Sequence, residues 1–156
     1  MLIFRYNSLL QLFIDNYHNS FQQIAKYKDV LTAVSFEAFD LGYNATLVNN
    51  SFTDVNPTLK ALNLKRYPMI TTVNLEKIRQ LIKNPDGFIA HCIELAKIHD
   101  YTGYNVDFEP HDSATEEDAA GFAEFLTKFR NALNAHGFKL SVDIGMLHNE
   151  YRNFTI

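Results

Sequence analysis

The chain has 156 residues, 47% of them apolar or aromatic, and its 14 basic and 18 acidic side chains leave a net charge of −4. That is enough apolar material for a packed domain and too little positive charge for a face that grips a phosphate backbone, so disorder and nucleic-acid binding drop out. No apolar run approaches the roughly 20 residues a membrane helix needs, so no transmembrane segment is expected. Met1 to Tyr6 carries no apolar core of signal-peptide length, and the single Cys92 excludes an internal disulfide framework.

In chain order, Leu10, Phe13, Ile14, Tyr17, Phe21 and Ile24 recur at spacings of three and four, predicting one amphipathic helix from Leu9 to Tyr27. Val30 to Phe39 is rich in β-formers and is followed by loop chemistry at Asp40-Leu-Gly-Tyr-Asn44, so it reads as a buried strand. Asn44 to Thr58 is polar and reads as a surface loop, with a short helix around Pro57 to Leu62. A second strand runs from Arg66 to Val73, with Pro68 suited to its first position, and Leu75 to Ile82 is helical. Asn84-Pro85 opens a helix that places Phe88, Ile89, Cys92, Ile93 and Ala96 on one face. A strand follows at Gly103 to Phe108. Thr115-Glu-Glu-Asp118 is a capping box for a helix with the stripe Phe122, Phe125, Leu126, Phe129 and Leu133, which Gly137 closes before a fourth strand at Lys139 to Ile144.

Strand starts at Val30, Arg66, Gly103 and Lys139 are 36, 37 and 36 residues apart, with a helix in each gap. The strands lack clean alternation, as strands buried on both faces do, and a parallel connection requires a crossover. The fold class is therefore α/β: a partial (β/α)8 barrel, parallel strands inside and helices outside. A full barrel takes about 250 residues, so residues 1–156 are expected to form one incomplete barrel domain of four to five βα units. Its two open sheet edges would favour self-association.

The chemically informative stretch is Thr102-Gly-Tyr-Asn-Val-Asp-Phe-Glu-Pro110. Alternation puts Asn105, Asp107 and Glu109 on one face and Tyr104, Val106 and Phe108 on the other. If the apolar trio meets the helices, the polar trio lines the barrel, with the two carboxylates about 6.6 Å apart along the strand. Their repulsion raises the proton affinity of at least one. Glu109 stands at the carboxyl end, where barrel enzymes build their sites, and is expected to be the proton donor. The plainer alternative is a strand end paired with Lys or Arg of a neighbouring strand.

This stretch resembles the signature of glycoside hydrolase family 18, the chitinase and chitobiase group, in which Asp-Gly-x-Asp-x-Asp-x-Glu lies on the fourth barrel strand. Gly103, Asp107 and Glu109 match it; Thr102 and Asn105 replace its first two acids. More loosely, the Val-Ser-Phe, Tyr-Pro-Met-Ile and Lys-Leu-Ser-Val-Asp-Ile segments fall where that family's second, third and fifth strands would. The resemblance implies hydrolysis of β-1,4 linkages at N-acetylglucosamine, in chitin-like chains or N-glycan cores. Glu109 would protonate the glycosidic oxygen, the substrate's own 2-acetamido oxygen would attack the anomeric carbon, and Asp107 would orient that group, with Asn105 beside it. The alternative is a sugar-binding relative without catalysis, or an inactive fragment.

Phe36 and Glu37, late in the strand beginning at Val30, and Asp143 and Met146, at the end of the last strand, are candidate substrate-lining residues. His18, His91, His99, His111, His136 and His148 show no metal-ligand spacing, and no cofactor is implied. The expected partner is an N-acetylglucosamine-containing oligosaccharide, with neither nucleic acid nor membrane.

Overall fold

A computed structural model of the chain describes residues 9–12, 17–50 and 55–143. Five parallel strands form its centre: β1 (Leu9–Leu12), β2 (Ala33–Leu41), β4 (Lys65–Thr72), β5 (Gly103–Phe108) and β6 (Lys139–Val142), side by side in that order. A short strand, β3 (Leu47–Asn49), pairs antiparallel with the carboxyl end of β2. The crossovers carry α1 (Tyr17–Tyr27), α2 (Asn56–Ala61), α3 (Leu75–Lys83), α4 (Asp86–His99) and α5 (Glu116–Ala135). Sheet order follows chain order, as in a barrel wall built from successive βα units.

Four expectations need correction. The segment starting at Leu9 is not one helix: Leu9–Leu12 pairs in register with Ala33, Val34, Ser35 and Phe36 of β2, and the helix begins at Tyr17. An apolar run this short fits either period, and strand pairing decides it. The expected loop after Asn44 contains β3. Pro68 lies inside β4 opposite Phe36, not at its start, and the β4–β5 ladder begins one residue later at Met69. Asn84 is the C-cap of α3, and Pro85 precedes the first turn of α4.

One face of the sheet packs on the helices. Val34, Phe36, Ile70, Tyr104, Val106 and Phe108 join Ile78 and Leu81 of α3, Phe88 and Cys92 of α4, and Phe122 and Phe129 of α5 in a single core. The aromatic stripe predicted for α5 is its densest part: Phe125 and Phe129 stack at 5.6 Å, Phe88 meets Phe129 at 5.7 Å, and Phe108 meets Phe122 at 5.6 Å. Each such ring contributes roughly 2–3 kcal/mol by leaving water. Because alternate strand residues point oppositely, this packing turns Ser35, Met69, Asn105, Asp107 and Ser141 to the other face.

The capping box at Thr115 is present: its side chain accepts from the Asp118 N–H at 3.1 Å, and Asp118 accepts from the Thr115 N–H at 2.9 Å. Gly137, at φ 84°, sits in the left-handed region and turns the chain from α5 into β6.

Candidate active site

Tyr104, Val106 and Phe108 are anchored in the helix-side core, and this fixes the direction of their neighbours on β5. Asn105 is fully buried, Asp107 partly buried and Glu109 exposed, a gradient running outward along the face away from the helices. Glu109 is held just past the strand by its N–H, which donates to Thr72 O at 2.9 Å. Asp107 and Glu109 line a common open cleft of about 510 Å³ at the carboxyl ends of the strands, with Glu37, Asp40, Thr71, Thr72, Val73, Asn74 and Lys77. Neither acid forms an ion pair with a described residue, so the reading of a strand end neutralised by Lys or Arg does not apply.

Burial pushes the Asp107 carboxyl up to about 6, and the nearby charges of Glu109, Asp143 and Glu37 add to the effect. The mutual repulsion expected from the Asp-x-Glu spacing is therefore present, and it adds to the proton affinity of the inner acid. The first cause is depth: Asp107 loses water on the sheet face.

Glu37 lies in the cleft beside this pair. Asp143, at the end of β6, is tied to the site by the Asn105 Nδ2–H, which donates to its Oδ2 at 2.8 Å; Asn105 thus binds Asp143. Phe36 is not brought there. It is 4% exposed and its ring packs edge-on against Tyr101 at 6.3 Å, because adjacent strand residues cannot share a face and Glu37 holds the cleft side. Met146 lies outside the described residues. His111 is exposed in the loop after β5, its N–H donating to Val73 O at 3.2 Å.

The sequence reading missed the wall opposite the acids. Thr71 Oγ1 donates to Asp40 Oδ1 at 2.9 Å, and Asn74 caps α3 by accepting from the Lys77 N–H at 3.1 Å. The Lys77 ammonium stands 5.2 Å from the ring centre of Tyr43, in the turn after β2. Asp40 and Thr71 lie at the carboxyl ends of β2 and β4, and Tyr43, Asn74 and Lys77 follow them; that position was the signal available for finding them. Behind the wall, Arg79 of α3 grips Asp118 of α5 through two bonds of 2.8 Å. No three His, Cys, Asp or Glu side chains among the described residues are grouped to hold a metal ion.

No family model matches the chain. An uncharacterised glycosylase of Bacillus subtilis, YvbX, is 24% identical over 135 residues, covering 80% of this chain and 38% of that protein. A class V chitinase from Pseudomonas fluorescens superposes with a TM-score of 0.75 at 20% identity, covering 87% of this chain and 44% of the other. A chitinase from Chromobacterium violaceum gives 0.74 at 18%, covering 86% and 44%. The spore cortex-lytic enzyme SleL of Bacillus megaterium gives 0.69 at 16%, covering 86% and 33%. The chain therefore spans less than half the length of each of these proteins. By fold, the chain matches part of the barrel of these chitinase-like structures, a sheet of parallel strands with helices outside it.

Proposed function

We propose that the chain carries the acid pair of a retaining glycosidase that cleaves β-1,4 linkages next to N-acetylglucosamine, in chitin or chitooligosaccharides, with help from the substrate. The observation that carries this reading is that Asp107 and Glu109 both line one cleft and form no ion pair among the described residues. Two acids on one strand approach a sugar from the same side, so neither is placed to attack the face opposite the other. A nucleophile within the substrate resolves that geometry, in departure from the usual two-carboxylate scheme.

Glu109 gives its proton to the glycosidic oxygen while the 2-acetamido carbonyl oxygen attacks the anomeric carbon. The C–O bond breaks, the aglycone leaves as an alcohol, and a cyclic oxazolinium ion remains. Asp107 accepts the acetamido N–H and offsets the positive charge that develops there. Water, deprotonated by Glu109, then opens the ring with overall retention. The pair needs one proton in total: it rests on Asp107 and passes to Glu109 when the acetamido group takes Asp107 as its acceptor.

The test is a pair of fluorogenic β-chitobiosides differing only in the 2-acetamido group of the reacting sugar. Turnover of the acetylated compound with none of its 2-amino counterpart supports the reading, and equal rates refute it. Asn105, in place of the signature's second acid, favours a second reading: a sugar-binding relative without turnover. Calorimetric binding of chitooligosaccharides with no product would select it.

A further inference from the structure

The face of β5 that carries Asp107 holds an amide where a third acid would extend the ladder, and a third carboxylate comes from the next strand. Asn105 is 0% exposed, its Nδ2–H donates to Asp143 Oδ2 at 2.8 Å, and its Oδ1 has no hydrogen-bond partner. The Asp143 N–H donates to Val106 O at 2.9 Å, which continues the β5–β6 register and fixes where its side chain starts. Asp143 is thus held at both backbone and carboxylate, beside the face on which Asp107 stands.

The pairing is complementary. An amide donates to a neighbouring carboxylate at 2.8 Å without adding charge, whereas an aspartate at 105 would set two carboxylates in contact and force one to keep a proton. We propose that Asp143 is a positioning residue for the acid pair: fixed by the buried Asn105 amide, its charge acts through Asp107 and keeps a proton on the pair for delivery to the leaving group. The proposal rests on the reading of Asp107 and Glu109 as the reacting pair.

The charged groups around Asp107 are Glu109 just past the end of the same strand, Glu37 and Asp40 from β2, Lys77 from α3 and Asp143 just past β6. Three of these carboxylates, Glu109, Asp143 and Glu37, raise the proton affinity of Asp107. Asp40 is engaged by Thr71, and the Lys77 ammonium stands over Tyr43. Of the three, Asp143 receives a hydrogen bond from a fully buried side chain of β5 itself.

Two measurements test this: carboxyl ¹³C NMR titration of Asp107, which needs no turnover, and the pH profile of kcat/KM on an acetylated chitobioside. Asp143→Asn removes the charge and keeps the size and the hydrogen bond, because the Asn105 amide can turn its free oxygen inward. The Asp107 titration is expected to move to lower pH by at least about half a unit, and the alkaline fall in kcat/KM to move with it. The exchange variant Asn105→Asp/Asp143→Asn, which returns one carboxylate to the pair, is expected to restore both within about threefold. Asp143→Ser serves as the second charge-removing variant should Asp143→Asn fold poorly. An unmoved Asp107 titration in the charge-removing variant overturns the proposal. Glu109→Gln separates the two claims: full activity there refutes the reacting pair, whatever the titration shows.

Discussion

Gly103 and Lys139 approach so closely at the start of β5 and β6 that a Cβ on Gly103 would stand 1.9 Å from the Lys139 carbonyl oxygen. Gly103 pairs with Lys139 in the ladder, and the Lys139 N–H donates to Thr102 O at 3.0 Å. A methyl group there has nowhere to go but into backbone, so the two strands must part. Gly103→Ala is expected to cost at least about 2 kcal/mol in urea unfolding and to loosen the Asn105–Asp143 bond two residues along. A variant as stable as the parent would show that the β5–β6 contact is not tight.

Ionising Asp107 costs the folded protein stability. Its folded value of about 6 lies above the roughly 3.9 of an unfolded aspartate, so folding favours the neutral acid. The cost of ionising it is absent below about pH 4, where both states are protonated, and complete above about pH 6. Asp107→Asn removes that cost. The variant is expected to be more stable than the parent at pH 7 by about 1 kcal/mol, after discounting for its partial exposure, and equal to it below pH 4. Its activity should fall by at least about a hundredfold. Thermal unfolding at pH 4 and pH 7 checks the first statement.

Under the proposed mechanism, the same proton sets the pH range of turnover. If the pair acts with one proton, kcat/KM should fall as pH rises through about 6, tenfold per unit, as that proton leaves Asp107. A profile flat from pH 5 to 8 would contradict the coupling of Asp107 to the reaction.

The wall of the cleft depends on a pair remote from it. The Arg79 guanidinium beside Asp118, with the Thr115 hydrogen bonds, holds the Asp118 carboxyl well below the usual carboxylate range. A depressed acid contributes stability in full above its unfolded value of about 3.9, and the contribution is lost as pH falls through the folded value. Thr115→Ala removes the cap and is expected to cost about 1 kcal/mol. Acid unfolding of the parent should steepen below pH 4, and less so in Asp118→Asn.

The acid pair was legible because strand alternation and strand-end position are properties of a few neighbouring residues: Tyr104, Val106 and Phe108 announce the core, and Asp107 and Glu109 follow on the opposite face. The long helix α5 was legible for the same reason, since cap and stripe lie within its own residues. β1 was not, because Leu9, Leu10 and Leu12 satisfy helical and extended spacing alike and their pairing with β2 is a distant event. Phe36 was placed in the cleft although Glu37 beside it already claimed that face. Asp40, Thr71, Asn74 and Lys77 come together only when β2 and β4 lie side by side, and no local pattern joins them. The Asn105–Asp143 bond spans 38 residues, and it became visible only through the sheet register.

The most direct measurement compares Glu109→Gln with the parent on acetylated chitobiosides whose leaving groups range from a poor alcohol to dinitrophenol. If Glu109 delivers the proton, the loss should be about 10²–10⁴-fold for the poor leaving group and shrink toward unity for the one that departs unprotonated. A loss that is the same for every leaving group, or no loss at all, would contradict the account.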